Sequence, residues 1–209
     1  LYRYTLEKAG IFVTYVYKTI SINPVLILPW ICALILIGYI VGLMVKHEPM
    51  ITGSGIPQVE GVLLRKLDMT WWRVIIGKFF GGVLSIGSGL SLGREGPSVQ
   101  LGAAVGQGFS KVFKRIKIEE KYLMTSGASA GLSAAFNAPL AGALFALEEV
   151  HKNFSPLILL SALSAALSAD FVASSFLGLK PIFVIKNLSI LPLKFYFYLI
   201  ILRDRKSVV

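Results

Sequence analysis

From Ser21 to Val45 the chain runs for 25 residues without a charge. As a helix rising 1.5 Å per residue, such a run crosses the roughly 30 Å hydrocarbon layer of a bilayer, and few soluble folds can use it. Composition agrees, because 55% of the 209 residues are hydrophobic and 15% charged, whereas soluble domains are about a quarter charged. The mean hydropathy is +0.72. The run is too long for the apolar region of a signal peptide, and no small-residue cleavage site follows it. The expected fold class is therefore an all-α polytopic membrane protein, with the lipid bilayer as its solvent.

Lysine and arginine outnumber aspartate and glutamate by 21 to 11. The excess is spread over loops and not gathered on one face, which fits membrane topology and argues against nucleic acid as a partner. Arg65, Lys66 and Arg73 flank one short loop, and Lys111, Lys114, Arg115 and Lys117 form a second basic group. Broken or reentrant helices upset loop counting, so the two groups are not assigned to one side. The single cysteine, Cys32, excludes an intrachain disulfide and is expected to act in packing.

In chain order, Leu1 to Ile20 mixes Tyr, Lys and β-branched residues and reads as the end of a helix followed by a loop. Lys46 to Ile51 is a polar break. Gly53-Ser54-Gly55-Ile56-Pro57 then opens a stretch, Ile56 to Leu64, far too short to span. A half-helix that begins inside the membrane offers unpaired amides and the positive end of its dipole to an anion. Glycines would let the ion reach the backbone, and the serine hydroxyl adds a donor. The plain alternative is a flexible Gly-Ser-Gly turn. Trp71, Trp72 and Arg73 fit an anchor at headgroup level. The pairs Gly77/Gly81, Gly89/Gly93, Gly102/Gly106 and Gly127/Gly131 repeat the small-xxx-small spacing that lets helices pack closely in lipid. Lys111 to Lys121 reads as a surface loop. Tyr122 to Leu147 is uncharged over 26 residues but interrupted by Asn137-Ala138-Pro139, so two helices with a break are expected. Ser155 to Ala169 starts another helix with Asp170 in its continuation, and past Gly178 the pattern weakens.

The most chemically pointed stretch is Gly93-Arg94-Glu95-Gly96-Pro97-Ser98-Val99-Gln100-Leu101-Gly102. Pro97 lacks an amide proton and has φ preset, so a helix should start near Gly96 with its unpaired amides facing Glu95. That carboxylate is a candidate resident anion. No Walker lysine follows the glycines and no strand precedes them, so a nucleotide phosphate loop is not expected. Glu148-x-x-His151 has half of a di-metal spacing, but no second copy exists and the other histidine is His47, so no metal is expected. The serines lack His and Asp companions for nucleophilic catalysis, and no enzyme activity is expected.

Gly53-Ser54-Gly55-Ile56-Pro57, Gly93-Arg94-Glu95-Gly96-Pro97, and Asn137-Ala138-Pro139-Leu140-Ala141-Gly142 followed by Glu148-Glu149 resemble, in this order and spacing, the first half of a CLC chloride channel or transporter. The resemblance runs from about Pro24 to Leu179, and Trp71-Trp72-Arg73 and Lys78-Phe79-Phe80-Gly81-Gly82 share it. It implies a CLC-type fold of tilted, broken and half-spanning helices, here the first inverted-repeat half only. Ser54 would present its hydroxyl to chloride, with Gly53, Gly55, Ile56, Arg94 and Gly96 as further chloride-binding positions. Glu95 would be the gating glutamate and Glu149 the inner proton-transfer group. Glu149 favours a proton-coupled antiporter; the alternatives are a passive gated channel of the same family and a non-transporting membrane assembly subunit or inactive fragment. For Glu148 and Glu149 the alternative is a cap at the water interface.

The resemblance further implies a homodimer when full length, a bacterial inner-membrane location, and no cofactor besides the transported chloride and protons. No match to the family's second-half Gly-x-Phe-x-Pro stretch or pore tyrosine is found, so 1–203 is expected to be a partial transmembrane domain. Asp204-Arg205-Lys206-Ser207-Val208-Val209 resembles a translated sequencing adapter, and with no initiator methionine the reading frame is expected to be cut at both ends.

Overall fold

The structure, a computed structural model, describes residues 1–90 and 92–178. The expected end of the domain at 203 and the expected adapter tail 204–209 lie outside the described residues. Eight α-helices are joined by short turns, with no strand among the described residues: α1 (Tyr2–Ile22), α2 (Ile27–His47), α3 (Ile56–Leu63), α4 (Trp71–Gly87), α5 (Glu95–Val112), α6 (Lys117–Phe136), α7 (Pro139–Phe145) and α8 (Pro156–Leu177). Short 3-10 turns at Pro24–Leu26 and Pro49–Ile51 lead into α2 and the α3 loop, and a π-helical turn, Ala146–His151, ends α7.

Helix α6 is the hub, packed by α5, α7 and α8. Its sequence explains why. Residues such as Ser126, Ala128, Ser129 and Ser133 are small and buried, so neighbouring backbones can come into direct contact. A methyl group at Gly102 of α5 would collide with the carbonyl of Gly127 in α6, and one at Gly131 with the carbonyl of Ser98. Two of the four small-xxx-small pairs thus work together across one interface. Gly77 and Gly81 instead meet the side chains of Ile51 and Met44, and Gly89 has φ +90° in the turn after α4. On the far side, Ser129 Oγ donates to Ala162 O at 3.0 Å and Ser133 Oγ to Ala166 O at 2.9 Å. Such hydroxyl bonds between apolar helices are each of order 1 kcal/mol in a bilayer.

Among the described residues, two helices have the length and composition to cross a membrane, Pro24–His47, which takes in the 3-10 turn before α2, and α8. The first has no buried residue. Cys32 on it is exposed, so the packing role expected for it is not realised among the described residues. The uncharged run is split at Asn23-Pro24, since a proline at the first helical turn starts a new helix. Exposed apolar residues such as Val25, Phe171 and Phe176 suit a lipid solvent.

Two expectations are corrected. Leu1 to Ile20 is not a helix end and a loop, because α1 is continuous through Ile22. Its β-branched residues are weak helix formers, but packing on α4 overrides propensity. Tyr2 stacks on Phe79 with ring centroids 5.7 Å apart, and a methyl at Gly87 would lie 3.1 Å from Ala9 Cβ. Likewise Lys111 to Lys121 is mostly helical, since α5 ends at Val112 and α6 begins at Lys117. A tight turn closes the gap, with Lys114 at φ +50° and Arg115 N–H donating to Ser110 O at 2.9 Å.

Arg3, which drew no notice in the sequence, ties α1 to the break after α6. It is buried, pairs with Glu7 at 3.1 Å, and donates to Asn137 Oδ1 and to Ala134 O. Arg3→Met removes these donors and leaves acceptors unpaired, so it should destabilise the protein by about 2 kcal/mol. The expected readout is a melting midpoint lower by about 4–8 °C.

Candidate functional site

Gly53 at φ +61° and Gly55 at φ +90° turn the chain from the Pro49–Ile51 turn into α3, and only glycine takes such angles at low cost. Gly55 caps α3, and Pro57 occupies the first turn, where a missing amide proton costs nothing. Ser54 lies exposed between the glycines, its Oγ accepting from Ile56 N–H at 3.4 Å. Ile56 to Leu64 was expected as a helix too short to span, and α3 has 8 residues.

Two side chains that sequence reasoning missed brace this loop. Lys78, in the middle of α4 and buried, donates to Ile51 O at 2.9 Å and to Gly53 O at 2.7 Å. Gln100, fully buried on α5, donates through Nε2 to Met50 O at 2.7 Å and lies directly against Gly55. The signal for Lys78 was present as an ionisable residue inside an apolar span, where charge is costly and rarely idle. Lys78→Met should free both carbonyls and loosen the Ser54 loop. Loss of a charged hydrogen bond of about 1.5–3 kcal/mol predicts a melting midpoint lower by about 3–12 °C, measurable by differential scanning calorimetry.

The second motif meets the first. α5 begins at Glu95, one residue before the expected Gly96, with Arg94 as its cap and Pro97 in the first turn. A methyl at Gly96 would lie 2.5 Å from Ser54 O and 2.7 Å from Ser54 Cβ. The amino ends of α3 and α5 thus converge on Ser54, and no side chain caps the first amides of α5. Both helices thus turn the positive end of their dipoles toward Ser54, an electropositive locus without a full charge. Gly53, Ser54, Gly55, Ile56, Arg94, Glu95 and Gly96 are all brought to it. The Glu95 carboxylate is exposed and has no hydrogen-bond partner among the described residues. The guanidinium of Arg94 stacks 5.5 Å over the Phe136 ring, which places the break at Asn137 near the same locus. Asn137 takes φ +54°, and α7 starts at Pro139, as the Asn-Ala-Pro interruption predicted.

Glu149 lies elsewhere. With Glu148 it is exposed on the π-helical turn. Just beyond, Lys152 Nζ pairs with Glu60 Oε1 of α3 at 2.7 Å. That hydrogen bond, with smaller help from the charges of Glu60 and Glu149, raises the Lys152 pKa against the opposing effect of burial. Glu95 therefore sits at the amino end of α3 and Glu149 beside its carboxyl half. His151 Nδ1 is 2.9 Å from Thr125 Oγ1, which also lies 2.9 Å from Lys121 O. Asp170 is partly buried, with one carboxylate oxygen unpartnered among the described residues.

The described residues are all helical, with the amino ends of α3 and α5 meeting at one glycine-serine loop, the fold of a polytopic membrane protein. The family described as voltage gated chloride channel matches residues 35–202. The chain belongs to this family, the CLC proteins, which are integral to the membrane. It is 45% identical over 131 residues to the H(+)/Cl(-) exchange transporter ClcA of Vibrio cholerae serotype O1, covering 60% of this chain and 28% of that protein. To the ClcA of Salmonella paratyphi B it is 42% identical over 172 residues, 80% of this chain and 36% of the relative. Among solved structures, a slow cyanobacterial Cl-/H+ antiporter superposes with a TM-score of 0.77 at 33% identity, over 96% of this chain and 48% of that one. A CLC-type fluoride/proton antiporter gives 0.67 at 27% identity, over 96% and 50%. The matched segments span well under half the length of these curated relatives.

Proposed function

We propose that this chain supplies the anion site and gate of a proton-coupled chloride antiporter. Ser54 and the backbone at Gly53, Gly55, Ile56 and Gly96 hold the anion, with Arg94 adding positive potential, and Glu95 is the gate. The reading rests above all on the contact of Gly96 with Ser54, which puts two helix amino ends and Glu95 at one place. A carboxylate and a chloride ion compete for the same amides, so protonating Glu95 removes its claim and links proton binding to anion occupancy. Glu149, on the other side of α3, passes protons toward the opposite face. The chain works within a longer subunit of its relatives' size, as a homodimer in a bacterial inner membrane, with no cofactor beyond its transported ions.

The test is a chloride gradient across liposomes reconstituted with the protein. Uphill proton movement sustains the antiporter, whereas chloride flux without protons makes it a passive channel of the same family. Replacing chloride with fluoride in the same vesicles decides between the two anions named for its structural neighbours.

A further inference from the structure

We propose that the cavity between the α3–α4 loop, the end of α5 and the start of α6 binds the headgroup of an anionic, hydroxyl-bearing phospholipid. The cavity holds about 500 Å³ and lies away from the Ser54 locus, a size that suits a small-molecule site. Four cations line it, Arg65, Lys111, Lys117 and Lys121. None of them forms an ion pair with a carboxylate among the described residues. Two acids, Asp68 and Glu120, share the wall, leaving a net charge of 4 − 2 = +2. That balance fits a phosphodiester with one negative charge better than a polyphosphate. The acids are acceptors suited to the hydroxyls of a polyol.

A buried acceptor points the same way. Gln107 lines the cavity, is 3% exposed, and its Oε1 has no partner among the described residues. An unpaired buried amide oxygen costs about 1–3 kcal/mol, which a ligand hydroxyl would recover. The start of α6, with no side-chain cap, adds the positive end of a helix to the same wall.

The surroundings identify the source as lipid. Thr70 of the cavity wall precedes Trp71 and Trp72, and the Arg73 guanidinium stacks 5.2 Å over the Trp72 ring. Aromatic and cationic residues together mark the headgroup level of a membrane protein. Val112, Phe113, Ile116 and Ile118 are exposed on the turn that carries the cavity's lysines, giving acyl chains an apolar flank. Basic pockets between helices at this depth are suited to anionic headgroups.

The experiment is native mass spectrometry of the purified protein with phosphatidylglycerol, phosphatidylcholine and soluble glycerol 1-phosphate as probes. Phosphatidylglycerol should be retained at least tenfold more than phosphatidylcholine. The triple variant Lys111→Gln/Lys117→Gln/Lys121→Gln should lose that preference, and the equally charged control Lys8→Gln/Lys18→Gln/Lys46→Gln should keep it. Failure of glycerol 1-phosphate to displace the lipid supports a membrane source, while displacement supports the same site with a soluble phosphate ester as its ligand. Equal retention of both lipids by the native sequence, an unchanged preference in the cavity variant, or an equal loss in the control overturns the proposal.

Discussion

Glu95→Gln is expected to abolish chloride-driven proton movement while leaving chloride flux in place. Glutamine keeps the size and polarity of the side chain but has neither a negative charge to compete for the amides at Ser54 and Gly96 nor a proton to carry. Acid–base groups of this kind typically contribute 10²–10⁴-fold, so proton transport should fall by about two orders of magnitude. A proton-selective electrode and a chloride electrode on the same vesicles read both ions. A variant that still couples them would remove Glu95 from the gate. Glu149→Gln offers a contrast, because a carboxylate at the far side of α3 lies outside the anion locus. Its loss should stop protons and leave chloride affinity unchanged.

Gly102→Ala should be the most disruptive single-methyl change in the described fold. The added carbon would overlap the Gly127 carbonyl and crowd Gly131 Cα at 3.2 Å. Backbone cannot escape by changing rotamer, so α5 and α6 must separate, and the cost should reach the top of the overpacking range, about 3 kcal/mol or more. For a chain of this length that lowers the melting midpoint by about 6–12 °C. Because α5 carries Glu95 and Gly96, anion binding should weaken with it. The control is Gly38→Ala on α2, where nothing lies within 4 Å of the new methyl and alanine favours the helix by about 1 kcal/mol. Equal melting of the two variants would show that the glycine contact does not hold the interface.

Where the residues carry their own instruction, the sequence was legible. Proline after glycine announced the starts of α3 and α5, and Asn137-Ala138-Pro139 announced the break before α7, because these residues restrict or free the backbone locally. The uncharged run from Ser21 predicted α2 because solvent, not neighbours, dictates that pattern. The motifs at Ser54 and Glu95 were likewise visible as a hydroxyl and a carboxylate among glycines, whereas a role for Glu149 was implied only by the resemblance to CLC proteins. α1 departs from the expected helix end and loop for the opposite reason. Its residues are weak helix formers, and its helix depends on α4, whose contact no local rule supplies.

Tertiary structure alone decided which features share a place. Ser54 and Gly96 are 42 residues apart and touch because α3 and α5 pack through glycine, whereas Glu149 lies on the turn whose Lys152 pairs with Glu60 of α3. Lys78, Gln100 and Arg3 acquire their roles only through carbonyls and an amide side chain brought to them from distant segments. Local chemistry fixes φ, helix ends and solvent preference, so those could be read residue by residue. Hydrogen bonds and close approaches between helices depend on how buried surfaces of the whole chain fit together, and they appear only once it is folded.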